Sequence, residues 1–280
     1  MPKRILAIND ISCVGRCSLT VALPVISAAG VECSVLPTAV LSTHTGGFDG
    51  FTFRDLTDDI APVTEHWARL GITFDAVYTG YLGSIRQIGL ILDAAEHFVR
   101  PGVPLIVDPV MGDAGRLYAN FDSDFVAAMR TLCARADIIT PNLTEASFLL
   151  GEEYRGGDCG EDYIRAVLER LTALGAGAAV LTGVSFAPGE FGAAYLNRSS
   201  GEYGYFAGEY TTGFFHGAGD VFASVLSAAV VRGKSIPESV SLAVDFTGRC
   251  IKRSAEIQED SRFGLCFEGL LGQLANCFTE

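Results

Sequence analysis

The run Phe214-Phe215-His216-Gly217-Ala218-Gly219-Asp220, followed at once by the apolar residues 221–231, holds the clearest chemistry in the chain. Its two glycines let the backbone turn tightly, because glycine accepts left-handed dihedrals at little cost. A helix that starts there leaves its first N–H groups without partners and concentrates partial positive charge at that end. Gly217, Ala218 and Gly219 would then form a pocket for an anion such as a phosphate. Asp220 lies in or beside the same pocket, where a carboxylate is placed to take a proton from a substrate hydroxyl. The plainer alternative is a turn with an acid in the first turn of a helix.

Other polar residues follow short apolar runs. Asn9-Asp10 follows residues 5–8, and Ser42-Thr43-His44-Thr45-Gly46-Gly47 follows residues 31–40. Thr79-Gly80-Tyr81-Leu82-Gly83, Asp108-Pro109-Val110-Met111-Gly112-Asp113, Thr140-Pro141-Asn142-Leu143-Thr144-Glu145 and Thr182-Gly183 repeat the arrangement. Turns are rich in these residue types for their own reasons, so one such segment means little. The ordered set, together with the glycine-rich helix start, points to a ligand site. Asp108, Asp113 and Glu145 are hard oxygen donors suited to Mg²⁺. Asn142 followed by Glu145 also fits a capping box, and the two roles for Glu145 are compatible.

The elements that must position these residues alternate. Strands are expected at residues 5–8, 31–40, 76–79, 105–107, 137–139 and 178–181, with a hairpin formed by 193–197 and 203–206. Helices are expected at 18–29 with Pro24 inside, 55–70, 84–99, 124–135, 142–150, 162–174, 220–232, 237–254 and 268–275. The pattern predicts an α/β fold, a mostly parallel central sheet with helices on both faces. Ligands of such folds sit beyond the carboxyl ends of the strands.

Composition narrows the function. The 280 residues are 49% hydrophobic and show no linker, repeat or low-complexity tract, which predicts one domain. A net charge of −13 without a basic stripe argues against nucleic acid as a partner. The eight cysteines form no CxxC pair and no zinc spacing, which fits a reducing cytoplasm. The start is read as strand rather than signal peptide, and the uncharged run 17–31 is too short for a membrane span, so a soluble protein is expected.

Taken in order, Asp108-Pro109-Val110-Met111-Gly112-Asp113, Thr140-Pro141-Asn142 with Glu145, and Gly217-Ala218-Gly219-Asp220 resemble the ribokinase-like superfamily, in particular its vitamin-kinase branch. Ser42-Thr43-His44-Thr45-Gly46 and Thr79-Gly80-Tyr81-Leu82-Gly83-Ser84 look more like the pyridoxal (pyridoxine, pyridoxamine) kinases. The resemblance implies transfer of the γ-phosphate of ATP to the 5′-hydroxyl of a B6 vitamer, with Asp220 as the base. It implies that the N–H groups of Gly217, Ala218 and Gly219 hold the moving phosphoryl group. Asp108, Asp113, Thr140, Asn142 and Glu145 would surround Mg²⁺ and phosphates, with K⁺ nearby. Thr182 and Gly183 would line the nucleotide side, and Thr45 and Tyr81 the vitamin pocket, with residues 46–54 as a flap. A homodimer is expected by the same resemblance.

Three positions depart from that family's usual pattern. Asn9-Asp10-Ile11 stands where many pyridoxal kinases carry Gln-Ser-His, and Asp10 could pair with a protonated ring nitrogen or bind hydroxyls as sugar kinases do. Leu41 replaces an aromatic residue that would stack on the ring, leaving an apolar wall. Ala218 replaces a common Thr, which removes a hydroxyl but keeps the N–H. A hydroxymethylpyrimidine or sugar kinase of the same fold, and a non-catalytic binding protein, are the competing readings.

Overall fold

The computed structural model describes residues 3–156, 159–209, 211, 213, 215–257 and 260–279. Phe214, at the head of the glycine-rich run, lies outside them.

Strand β1 (Arg4–Val14) shows how the sequence builds two cores at once. Successive side chains of a strand point to opposite faces. Ile5 and Ala7 join one apolar cluster, while Leu6 and Ile8 join the other. The same parity sorts β4 (Ala76–Thr79), β5 (Leu105–Val107) and β9 (Ala178–Val184): Tyr78, Ile106 and Val180 face the first cluster, and Val77, Val107 and Leu181 the second. Near-continuous apolar runs are what a sheet covered on both faces requires.

Helices α1 (Leu19–Ala28), α7 (Ala218–Val231) and α8 (Ile236–Ile257) cover the first face. Helices α2 (Thr57–Arg69), α3 (Ile85–Phe98), α4 (Ser123–Cys133), α5 (Leu143–Leu150) and α6 (Glu161–Ala173) cover the other. Helix α7 is apolar nearly all round, and residues 221–229 are buried throughout, as expected of a helix packed between a sheet and other helices. A short helix α9 (Leu271–Asn276) closes the chain.

Among the described residues, nine strands make one sheet. They add β2 (Glu32–Thr43), β3 (Phe53–Asp55), β8 (Ile138–Ile139), β10 (Glu190–Asn197) and β11 (Tyr203–Glu209). The order is β11-β10-β9-β8-β5-β4-β1-β2-β3. Every pairing from β9 to β2 is parallel, and antiparallel strands flank both ends. The mostly parallel sheet expected from sequence is therefore present, and its parallel strands all end on one edge.

Several boundaries differ from expectation for physical reasons. β1 continues to Val14 because Asn9, Asp10 and Ser12 are buried and hydrogen-bonded, with a register shift against β2 between Asn9 and Ile11. The helix expected from residue 55 starts at Thr57. Asp55 ends β3 instead, and its carboxylate accepts the Thr57 N–H at 2.8 Å. A small hairpin, β6 (Gly112–Asp113) and β7 (Arg116–Leu117), was not anticipated. Its two turn residues, Ala114 and Gly115, both have positive φ (49° and 77°), the geometry of tight two-residue hairpins.

Phe98 closes the second core, with its ring 5.2 Å from Phe74 and 6.4 Å from Trp67. Phe98→Ala should therefore lower unfolding free energy by about 3–4 kcal/mol in denaturant titration. A loss under about 1 kcal/mol would mean that this cluster does not anchor the helical face.

Candidate active site

The acids, threonines and glycine-rich turn expected to act on the ligand, from Asp10 through Asp108, Asp113 and Glu145 to Gly217–Asp220, line one cavity of about 530 Å³ at the carboxyl edge of the parallel strands. The glycine-rich turn enters α7 as anticipated. Gly217 is its N-cap in the left-handed region (φ 76°), and a methyl group there would strike the Arg16 carbonyl. Only glycine fits that position without displacing β1's C-terminal extension. Ala218, Gly219 and Asp220 form the first turn, so their N–H groups belong to the unpaired set at the helix start.

Asp220 is half-buried. The Asn9 side-chain amide donates to its Oδ1 at 3.3 Å, and the nearby Ser18 backbone N–H lowers its pKa. Asn9 is itself fixed, because its Oδ1 accepts the N–H groups of Asp10 at 3.0 Å and Tyr81 at 2.8 Å. Gly80 makes room for this arrangement, since a methyl there would run into the Asn9 amide. Burial pushes the Asp220 carboxyl up to about 6, with the charge of Asp10 adding to the shift and the two donors opposing it. That places a carboxylate base close to neutral pH.

A second group of acids lies beside it. Burial, then the charge of Asp220, push Asp108 up to about 8. Burial and the charge of Asp108 raise Glu145 well above the ordinary carboxyl range. Glu145 makes the capping box that its spacing predicted: Oε2 accepts the Asn142 N–H at 2.8 Å while Asn142 Oδ1 accepts the Glu145 N–H at 2.9 Å. Its other oxygen accepts the Met111 N–H at 3.2 Å. Among the described residues no three His, Cys, Asp or Glu side chains stand together so as to hold a metal ion by themselves. Asp108, Asp113 and Glu145, the expected Mg²⁺ ligands, all line the cavity; Glu145 also accepts two backbone N–H groups, and Asp113 lies on the β6–β7 hairpin with its Oδ1 accepting the Ala114 N–H at 2.7 Å. The donor chemistry still suits Mg²⁺, which takes one or two carboxylates and completes its shell with water and phosphate. Buried carboxyls whose pKa values are raised by burial and by a neighbouring carboxylate, Asp220 for Asp108 and Asp108 for Glu145, favour a cation beside them.

The remaining predicted residues divide by position. Thr140 faces Asp108 from the end of β8, and the Asn142 amide donates to the Gly112 carbonyl at 3.0 Å, tying the hairpin to α5. Thr182 lies beside Asn142 at the end of β9, followed by Gly183 at φ 74°. Asp10, Leu41, Thr45 and Tyr81 line the same cavity. Asp10 is buried and engaged within the protein, accepting from Ser18 Oγ at 2.5 Å and Ser12 Oγ at 3.2 Å. Burial raises its pKa.

His44 lines the cavity with its ring 4.7 Å from that of His216, and both its nitrogens are engaged within the protein. Its Nδ1 accepts the Gly46 N–H at 3.1 Å, which leaves Nε2 to donate to the Arg262 carbonyl at 2.5 Å. Arg262 in turn donates to the Gly47 carbonyl at 3.3 Å and lies 5.3 Å over the Phe48 ring. Gly47 and Phe48, in the segment 46–54 expected to act as a flap, thus contact Arg262 and Phe263.

Some lining residues escaped the sequence reading. Tyr118, just after β7, is close enough to Glu145, Asp113, Asp108 and Asp220 that their charges raise its hydroxyl pKa, after burial. Val244, Gly248 and Ile251 of α8 also line the cavity. Their spacing puts them on one helical face, which was a legible signal. Cys17 and Ser18 also face the cavity, and burial raises the Cys17 thiol, so it is not an activated nucleophile.

Comparison with known proteins agrees with this geometry. The chain is 38% identical to a Bacteroides thetaiotaomicron protein described as a phosphomethylpyrimidine kinase and crystallised with pyridoxal; the match covers 98% of this chain and 96% of that one, with a TM-score of 0.93. It is 33% identical to pyridoxal kinase from Lactobacillus plantarum, over 98% and 97% of the two chains, with a TM-score of 0.90. It is also 25% identical to the hydroxymethylpyrimidine/phosphomethylpyrimidine kinase of Mycobacterium bovis, over 90% of this chain and 89% of that protein. The sequence model of the phosphomethylpyrimidine kinase family matches residues 22–263, most of the chain, and the chain belongs to that family of kinases.

Proposed function

We propose that this kinase transfers the γ-phosphate of ATP to the 5′-hydroxymethyl group of a vitamin B6 vitamer. The observation that carries the reading is Asp220, a carboxylate with a raised pKa, seated in the first turn of α7 behind the left-handed Gly217 and opening on the same cavity as Asp10 and Tyr81.

In this reading the vitamin lies toward Asp10, Leu41, Thr45 and Tyr81, and the nucleotide toward Thr182, Gly183 and the α8 face. Asp220 accepts the proton of the vitamin hydroxyl as its oxygen bonds to the γ-phosphorus and the bond to the β,γ-bridging oxygen breaks, releasing ADP. The N–H groups of Gly217, Ala218 and Gly219 point at the phosphoryl group during transfer, where fixed donors have most effect. Asp108, Asp113 and Glu145, with Thr140 nearby, would hold Mg²⁺. Bound Mg²⁺ supplies neutralisation of the phosphate charge. The docked segment 44–48 helps exclude water from the site.

The pyridoxal-bound Bacteroides protein and the Lactobacillus kinase support a B6 vitamer as acceptor. A hydroxymethylpyrimidine acceptor is the second reading, favoured by the family's description and by the Mycobacterium relative. A sugar acceptor draws less support, because Asn9 is aimed at Asp220 and both oxygens of Asp10 already accept serine hydroxyls. Loss of catalysis is disfavoured by the intact base and turn.

Three outcomes test this reading. ADP release with Mg-ATP and K⁺ should occur with pyridoxal, pyridoxine or pyridoxamine and not with ribose. Turnover confined to hydroxymethylpyrimidine would move the specificity to the second reading, and silence from folded protein that binds ATP would favour a binding protein. Asp220→Asn should fold and bind ATP yet lose roughly 10²-fold or more in kcat; near-normal turnover would remove Asp220 from the base role. At saturating Mg-ATP, kcat/KM for the vitamin should fall as pH drops through about 6, because the base is protonated below its raised pKa. A profile that rises on acidification would contradict it.

A further inference from the structure

Residues 44–52 leave the sheet between β2 and β3, and the first three of them, His44, Thr45 and Gly46, line the cavity. A loop without regular structure has many conformations open to it, and fixing one costs entropy. Contacts from outside the loop are needed to hold those three residues at the site. They come from the far end of the chain. Arg262 lies in the short 3-10 turn Ser261–Phe263 that follows α8; it is exposed and is not among the residues that line the cavity.

Arg262 meets the loop at three consecutive points. Its carbonyl accepts His44 Nε2–H at 2.5 Å, its Nη1 donates to the Gly47 carbonyl at 3.3 Å, and its Cζ lies 5.3 Å from the centre of the Phe48 ring. A methyl group at Gly47 would come 3.0 Å from Arg262 Cδ, so the arginine stem lies directly over that glycine. Phe48 also meets the rings of Phe263 at 5.5 Å and His44 at 5.1 Å, both edge-on. An exposed arginine is ordinarily a weak anchor, because ordering its long side chain costs entropy. Asp260 lowers that cost here. Its Oδ2 accepts Nε at 2.9 Å and Nη2 at 2.6 Å, and its Oδ1 accepts the Arg262 backbone N–H at 3.0 Å. That grip fixes the guanidinium and leaves Nη1 for Gly47. The turn itself is tied to the chain just beyond β1, where the Phe263 carbonyl accepts the Arg16 N–H at 2.9 Å.

We infer that Arg262 is a positioning residue for the acceptor: oriented by Asp260, it holds residues 44–48 from outside the cavity and so keeps Thr45 in place beside the bound acceptor. The C-terminal segment thereby sets acceptor affinity without touching the acceptor. The inference rests on the acceptor lying beside Thr45, as proposed above, and the experiment keeps the two apart.

Steady-state kinetics of Arg262→Ala, with the acceptor that gives the unaltered enzyme its highest turnover, test it. KM for the acceptor should rise about fivefold or more, while KM for ATP and kcat at saturation change less than about twofold. Asp260→Asn, which weakens the grip on the guanidinium, should raise the same KM by a smaller factor. Arg262→Ala combined with Phe48→Leu should raise it by less than the product of the two single changes, because both act through one contact. A merely structural arginine would lower the melting temperature and leave both KM values of the folded protein alone. An unchanged acceptor KM in Arg262→Ala, an equal rise in KM for ATP, or fully multiplicative effects of the two changes overturns the inference. Thr45→Val separates it from the reading beneath. A raised acceptor KM in Thr45→Val with a normal one in Arg262→Ala overturns the inference alone; a normal KM in Thr45→Val means that the acceptor lies elsewhere, and the inference falls with that placement.

Discussion

Carboxyl groups gathered at one edge of a sheet repel one another and resist burial, and the architecture around this cavity follows from keeping several of them there. Asp10, Asp108 and Glu145 are buried and Asp220 is half-buried, and burial raises the pKa of each. The protein meets the cost with fixed donors: serine hydroxyls on Asp10, backbone N–H groups on Glu145, and the Asn9 amide on Asp220. On Asp10, Glu145 and Asp220 these donors oppose the upward pKa shift that burial imposes.

The fold supplies those donors because the parallel strands all finish on one side. β1 brings Asn9 and Asp10, the segment after β4 leaves room for Asn9 at Gly80, and β5 ends at Asp108. The residues after β8 deliver the Asn142–Glu145 box, and α7 starts where these converge. Burying two apolar clusters on opposite faces of the sheet fixes the strand register, and the register fixes where each polar side chain lies. Packing at the core and chemistry at the edge are therefore one problem.

The legible part of this design was local. Apolar runs with period two or helical spacing marked nearly every central strand and helix, and the residues after each strand were read as a set before any contact was known. What was hidden depended on partners distant in sequence. Asn9 and Asp10 look like a strand's polar end, yet they lie inside β1 because Asp220, Tyr81 and Ser18 satisfy them. Glu145 was legible as a cap, but its second acceptor role toward Met111 was not. Tyr118 depends on a hairpin of two-residue strands that no hydrophobic pattern announces. Ser18 was silent because serine seldom takes the dihedrals it adopts here.

The central claim is that Asp220 meets the acceptor's hydroxymethyl oxygen while the glycine turn faces the phosphoryl group. A crystal structure with a B6 vitamer and a non-hydrolysable ATP analogue tests it most directly. The account predicts that oxygen within hydrogen-bond distance of the Asp220 carboxylate, in line with the γ-phosphorus, with the N–H groups of residues 217–219 on the phosphate oxygens. A vitamer whose hydroxymethyl group points away from Asp220, or a γ-phosphate held away from the start of α7, would contradict it.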